Sequence, residues 1–99
     1  MGFKTIEFSD GEYYGETNWK GKPHGFGTFT FNNGDKVAGD FVDGQLHGHA
    51  IYTYADGDEL SANWVHGLLH GHAIYFGTDG SETEVQYVNG KKVSENRYR

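Results

Sequence analysis

Three rows of glycines recur along this chain at a fixed step of 23 residues: Gly2, Gly25, Gly48 and Gly71; Gly11, Gly34, Gly57 and Gly80; Gly21, Gly44, Gly67 and Gly90. His24, His47 and His70 keep the same step, each just before a glycine. Several independent rows on one period are the signature of a repeat architecture, in which each unit buries its apolar face only against its neighbours. Aligned on that period, the units read GFGTFTFNNGDKVAGDFVDGQLH, GHAIYTYADGDELSANWVHGLLH and GHAIYFGTDGSETEVQYVNGKK, preceded by GFKTIEFSDGEYYGETNWKGKPH.

Within each unit the side chains alternate with period two, the spacing of a strand rather than a helix. Gly48, Ala50, Tyr52 and Tyr54 share one face, while His49, Ile51 and Thr53 point to the other. After the turn at Ala55–Gly57, Leu60, Ala62 and Trp64 share a face, as Val37, Gly39 and Phe41 do one unit earlier. Each unit therefore reads as strand, tight turn, strand, longer turn, with Asn33-Gly34, Asp56-Gly57 and Asp79-Gly80 as the hairpin cues. Strands are expected near 3–8, 12–19, 25–31, 36–42, 48–54, 59–65, 71–76 and 83–88. The fold class is all-β: a single-layer antiparallel meander of stacked hairpins, roughly 35 Å long at about 4.8 Å per strand.

One face gathers the large apolar groups Ile6, Phe8, Phe29, Phe31, Phe41, Tyr52, Tyr54, Trp64, Tyr75 and Tyr87. It also holds Gly25, Gly27, Gly39, Gly48, Ala50, Ala62, Gly71 and Ala73. A ring lying flat on a sheet needs neighbouring positions with little or no side chain. The opposite face, with Lys36, Asp40, Glu59, Asn63, Glu82, Glu84 and Gln86, is expected to be solvated.

The run Val37-x-Gly39-x-Phe41-x-x-Gly44-x-x-His47-Gly48-x-Ala50, followed by Tyr54-x-Asp56-Gly57, resembles the MORN (membrane occupation and recognition nexus) repeat. That family's pattern is approximately Y-x-G-x-W-x-x-G-x-x-H-G-x-G, then an aromatic strand and a D-G turn. The likeness covers about residues 1–90, leaving 91–99 as a basic C-terminal tail. It implies an extended, twisted sheet of stacked hairpins that works in scaffolding, targeting or dimerisation, with phospholipid-headgroup binding proposed for some members. Two departures stand out. Trp19 lies two residues before Gly21, whereas Phe41 and Trp64 lie three before their glycines, so a bulge or slip is expected near Thr17–Trp19. In the last unit Val85 stands where Gly39 does, and the unit stops after one strand.

Charge and composition narrow the function. With 8 Lys+Arg against 14 Asp+Glu the net charge is −6, which repels phosphate backbones and anionic headgroups, so nucleic acid is excluded as a partner. The chain has no cysteine, its first ten residues are too polar for a secretory leader, and no apolar run nears the roughly 20 residues of a membrane span. A cytoplasmic protein is expected.

Candidate chemistry is sparse. His24, His47, His49, His66, His70 and His72 invite a zinc hypothesis, but His-Gly belongs to the repeat and is explained by backbone geometry; no metal and no cofactor is expected. Ser9, Ser61, Ser81 and Ser94 lack a base and an orienting partner from non-equivalent positions, so no enzyme is expected. Glu82 and Glu84 read as a charged edge strand that discourages further pairing. The tail reads as a solvated cap, with Lys91, Lys92, Arg97 and Arg99 as a weak anchor for anionic lipid. The leading expectation is a protein-interaction or scaffolding module, homodimeric or bound to another protein, whose anchors are Phe29, Phe31, Phe41, Tyr52, Tyr54, Trp64 and Tyr75. The alternative is a lipid-headgroup or membrane-targeting module.

Overall fold

The computed structural model describes residues 2–97. They form one antiparallel sheet whose spatial order follows the chain: β1 (Lys4–Phe8), β2 (Gly11–Thr17), β3 (Pro23–Phe31), β4 (Lys36–Val42), β5 (Gln45–Thr53), β6 (Glu59–Val65), β7 (Leu68–Phe76), β8 (Glu82–Val88) and β9 (Lys91–Arg97). The all-β meander is therefore present, extending 43 × 25 × 22 Å. A flat layer would be thin along its third axis. The 22 Å there measures how far cumulative strand twist turns the sheet.

The first hairpin turns tightly at Ser9-Asp10, between the paired Phe8 and Gly11, but in the later units the turns occur in the opposite sense to expectation. There the tight connections are Asp43-Gly44, His66-Gly67 and Asn89-Gly90, with φ of 48° and 89°, 49° and 82°, and 49° and 85°. Two consecutive positive φ values define the type I′ hairpin, and Val42↔Gln45, Val65↔Leu68 and Val88↔Lys91 pair directly across it. The Asn-Gly and Asp-Gly cues instead close three-residue loops. Phe31 N donates to Asp35 O, and Gly34 N to Phe31 O, the pattern of a type I turn ending in a bulge glycine (φ 97°). The same contacts recur at Tyr54–Asp58 and Gly77–Ser81.

The reason lies in a bulge inside β3, β5 and β7. Gly39 pairs with Ala50 but Phe41 pairs with Leu46, so His47, Gly48 and His49 together oppose Asp40. Ala62/Ala73 with Trp64/Leu69, and Gly15/Gly27 with Thr17/Pro23, repeat this shift. The bulge lets each of these strands begin right after the turn, three residues earlier than 48 and 71 and two earlier than 25. Its central residue has φ of 92°, 98° or 88° at Gly25, Gly48 and Gly71, a conformation that favours glycine. The preceding histidine then clamps the next hairpin. Nδ1 of His24, His47 and His70 accepts the backbone N–H of Asp43, His66 and Asn89 at 3.2, 3.4 and 3.3 Å. Beside each, Pro23, Leu46 and Leu69 carbonyls accept from Gly44, Gly67 and Gly90. The recurring histidines thus cap turn donors.

The one-residue slip expected near Thr17–Trp19 is present, and two further expectations are corrected. Five residues separate the Thr17↔Pro23 pair, against four between Phe41 and Leu46, and this offsets a first turn with two residues between Phe8 and Gly11, against three between Phe31 and Asp35. Thr17 therefore occupies the position of Phe41 and Trp64, while Trp19 sits on the turn, 88% exposed. Lys91–Arg97 forms β9 rather than a tail, so the sheet runs past the expected boundary at residue 90; Tyr98 and Arg99 lie outside the described residues. Because β9 pairs with β8, Glu82 and Glu84 are on an inner strand, and Glu84 Oε2 meets His72 Nε2 at 2.5 Å on the sheet surface.

The core lies on the expected face in two adjoining clusters. One centres on Tyr13, Val37, Phe41, Leu46 and Ala50, the other on Leu60, Ala62, Ala73 and Val85, with Tyr52 touching both. The opposite face is less polar than expected: Phe3, Tyr14, Phe26 and Ile51 are exposed beside its charges.

Candidate functional site

The aromatic face is built by placing a ring on every second strand at the same height. Phe8, Phe29, Phe31, Tyr52, Tyr54 and Tyr75 form an unbroken ladder with centroid separations of 5.7, 4.8, 5.7, 4.9 and 5.6 Å. All five pairs are tilted, the geometry that the ring quadrupole tolerates at such distances. Between the rungs stand Val37, paired with both Phe29 and Tyr52, and Leu60, paired with both Tyr52 and Tyr75, while the small residues Gly27, Gly39, Ala50, Ala62 and Ala73 form a parallel row two residues further along the strands. The curl turns Phe8, Phe29, Phe31 and Tyr52 into one wall of a groove of about 380 Å³, also lined by Val37, Leu46, Trp64 and Asp10, while Tyr54 and Tyr75 line an adjoining pocket of about 300 Å³ with Val85, Tyr87, Lys92 and Glu95.

Of the seven expected anchors, Phe29, Phe31, Tyr52, Tyr54 and Tyr75 belong to this ladder and remain partly exposed. Phe41 is a floor residue, 6% exposed, packed edge-on against Tyr13 at 5.0 Å. Trp64 is partly buried against the first core cluster, and its Nε1–H is shielded from solvent with no acceptor among the described residues. Such a shielded donor costs about 1–3 kcal/mol.

Sequence reasoning missed Tyr13, whose large side chain is fully buried. It lies over the facing pair Gly15 and Gly27 and its hydroxyl donates to Glu16 O at 2.6 Å. The Tyr13-x-Gly15 step repeats Val37-x-Gly39, a signal blurred by the shorter turn upstream.

The ladder is stapled between repeats. Tyr52 Oη donates to Asp35 Oδ2 at 2.8 Å and Tyr75 Oη to Asp58 Oδ2 at 2.5 Å. The second oxygen of each aspartate accepts a backbone N–H, from Ala55 and Thr78 respectively. Each aspartate thus closes its own turn and binds the ring and turn of the next unit. These donors hold the Asp35 and Asp58 carboxyls below the usual 3.8, the tyrosine hydroxyl contributing most. Burial, then the bond to Asp35, pushes Tyr52 up to about 12 from 10.0; the Asp58 bond, then burial, raises Tyr75.

A pH profile follows. The depressed aspartates contribute stability that is complete above their unfolded value and lost as pH falls through the folded one. The raised tyrosines contribute stability that is complete below pH 10.0 and lost as Tyr52 titrates towards about 12. Circular dichroism at fixed urea should therefore show a plateau between about pH 5 and 9, falling on both sides. Asp58→Asn, which keeps an acceptor oxygen but removes the charge, should flatten the acid limb.

Among the described residues no group of three or more His, Asp or Glu side chains is placed to hold a metal ion. Among the same residues no helix is long and apolar enough to cross a membrane.

A single open layer of stacked hairpins, held unit to unit by repeated backbone, histidine and aspartate clamps, defines a repeat protein of the solenoid class. Comparison with protein-family models matches the MORN repeat at residues 19–36, 38–59 and 61–82, more than half of the chain. The chain belongs to the MORN repeat family, a family of non-catalytic modules for protein and membrane interaction. A search of curated proteins returned no match.

Proposed function

We propose that this chain is a non-catalytic, cytoplasmic protein-binding module that engages its partner through the concave aromatic face. The observation that carries this is the six-ring ladder itself, which the sheet covers from one side only. Rings presented in a groove supply large contact area for little lost rotamer freedom, and aromatic anchors dominate interface energies. A scaffold, adaptor or self-associating module uses the same surface.

The test is affinity capture with the native chain and three variants whose folding is checked by circular dichroism. Phe31→Ala and Tyr54→Ala should each weaken partner binding by at least about tenfold, equivalent to about 1.4 kcal/mol. Ile51→Ser, on the opposite face, should leave it unchanged. If the partner is a second copy, the sedimentation mass should fall from dimer to monomer in the same two variants. Partner loss in Ile51→Ser alone would move the site to the other face. Sedimentation with anionic vesicles that survives both ring variants would favour the lipid alternative, and the basic residues of β9 would then be its first suspects. Lys92 is already engaged there by Glu95 at 2.6 Å.

A further inference from the structure

The ladder has a repeat of its own, and that repeat selects the shape of what can lie along it. Phe29/Phe31, Tyr52/Tyr54 and Tyr75 are equivalent ring positions on β3, β5 and β7, two strands apart each time. Two strand spacings amount to about 9.6 Å. A polyproline II helix makes one turn in three residues with a rise of about 3.1 Å, so residues i and i+3 face the same way about 9.3 Å apart. The two periods differ by only about 0.3 Å per repeat.

No other regular backbone matches as well. In an extended strand, residue i+3 points to the opposite side. In an α-helix, residues on one face recur at about 5.4 or 10.5 Å, the pitch and the seven-residue step.

Charge supplies the second constraint. The residues lining the groove include an acid, Asp10, and no base; in the adjoining pocket beside Tyr54 and Tyr75, Lys92 is ion-paired with Glu95 at 2.6 Å. The Asp35 and Asp58 carboxylates stand at the hydroxyl ends of Tyr52 and Tyr75. Electron-rich ring faces next to carboxylates favour a flat cation, and guanidinium both stacks on rings and bonds carboxylates.

Resting on the protein-binding reading above, we infer that the aromatic groove takes a proline-rich segment in polyproline II conformation that carries arginine at every third position. The arginines sit in successive ring-and-aspartate notches and the prolines pack on the apolar floor. Such a segment crosses the strands, and about nine residues span the distance from β1 to β7. Its backbone is already extended when free, which keeps the ordering cost of binding low.

The experiment uses fluorescent synthetic peptides of about four Pro-Pro-Arg triplets, titrated into the full chain at physiological salt and read by anisotropy. Two comparison peptides have the same length: one has the same composition with arginine at every second position, the other glutamate for arginine. The triplet peptide should bind at least about tenfold tighter than either. Tyr54→Ala and Asp10→Asn should each weaken it by about threefold or more, with Phe8→Ala at the exposed rim used where Tyr54→Ala does not fold. Ile51→Ser should bind like the native chain. Equal affinity for the two arginine peptides would overturn the inference, because charge alone would then explain binding. Undiminished binding in the ring variants would also overturn it. So would failure of the triplet peptide to saturate at roughly millimolar concentration. If the chain then still loses its natural partner on Tyr54→Ala, the protein-binding reading stands and only the polyproline occupant falls.

Discussion

Gly15→Ala is expected to unfold the N-terminal half of the sheet. A Cβ at residue 15 would lie 2.4 Å from Gly27 Cα, 2.5 Å from the Tyr13 hydroxyl and 2.6 Å from Phe26 O. Two of those three atoms are backbone and cannot swing aside, and the third belongs to a side chain with no exposed surface. Accommodating the methyl means separating β2 from β3 or expelling Tyr13 from beneath Phe41. Ordinary overpacking costs about 1–3 kcal/mol, and contact with backbone on two sides puts this substitution at or above the upper end. Gly2→Ala, where nothing lies within 4 Å of the added carbon, is the matched control and should change stability by less than about 0.5 kcal/mol. Urea midpoints for the two variants decide the matter. A Gly15→Ala protein as stable as its control would mean that the close approach of these strands is looser than the structure has it.

Leu60→Ala carries the second large expected effect, and it differs in kind. Leu60 is 2% exposed at the centre of the cluster formed with Ala62, Ala73 and Val85. Truncation removes buried methyl groups and leaves a cavity between Ala62, Ala73 and Val85 and the rings of Tyr52 and Tyr75, which their hydroxyl bonds to Asp35 and Asp58 keep from swinging in to fill it. The cost should be about 2–5 kcal/mol, a large share of the roughly 5–15 kcal/mol that holds a domain together. In an array whose units touch only their neighbours, such damage stays near its origin. Hydrogen exchange should therefore speed up across β6 to β8 while β2 to β4 keep most of their protection. Equal acceleration in all nine strands would instead reveal one cooperative unit.

How much was legible beforehand depends on how local the determining physics is. Alternation along a strand is local, so the apolar face of β3 to β7 could be read from Tyr52, Tyr54, Leu60, Ala62 and Trp64 alone. Turn type was not local enough. Asp56-Gly57 and His66-Gly67 are both plausible two-residue turns by composition, and only the bulge at Gly48 and Gly71 decides which one is tight. Tyr13 escaped notice because a turn one residue shorter at Ser9-Asp10, made up by one residue more near Trp19, shifts it out of the alignment. Phe41 looked equivalent to the exposed rings, yet it packs beneath them against Tyr13. β9 was unreadable for another reason. Every residue of Lys91–Arg97 is exposed, so no apolar alternation marks it, and only its ladder with β8 makes it a strand.

By itself, then, the sequence determined the period, the hairpin unit, the aromatic face and the row of small residues that accompanies the rings. Each of these follows from side-chain spacing within about one hairpin. Tertiary structure decided what depends on contacts between units: the Pro23 carbonyl and His24 imidazole reaching the turn at Asp43-Gly44, the aspartate staples to Tyr52 and Tyr75, and the curl that makes a groove of the face. The physical reason is that backbone donors must be satisfied and twist accumulates from strand to strand, and both are settled only when the next hairpin is in place.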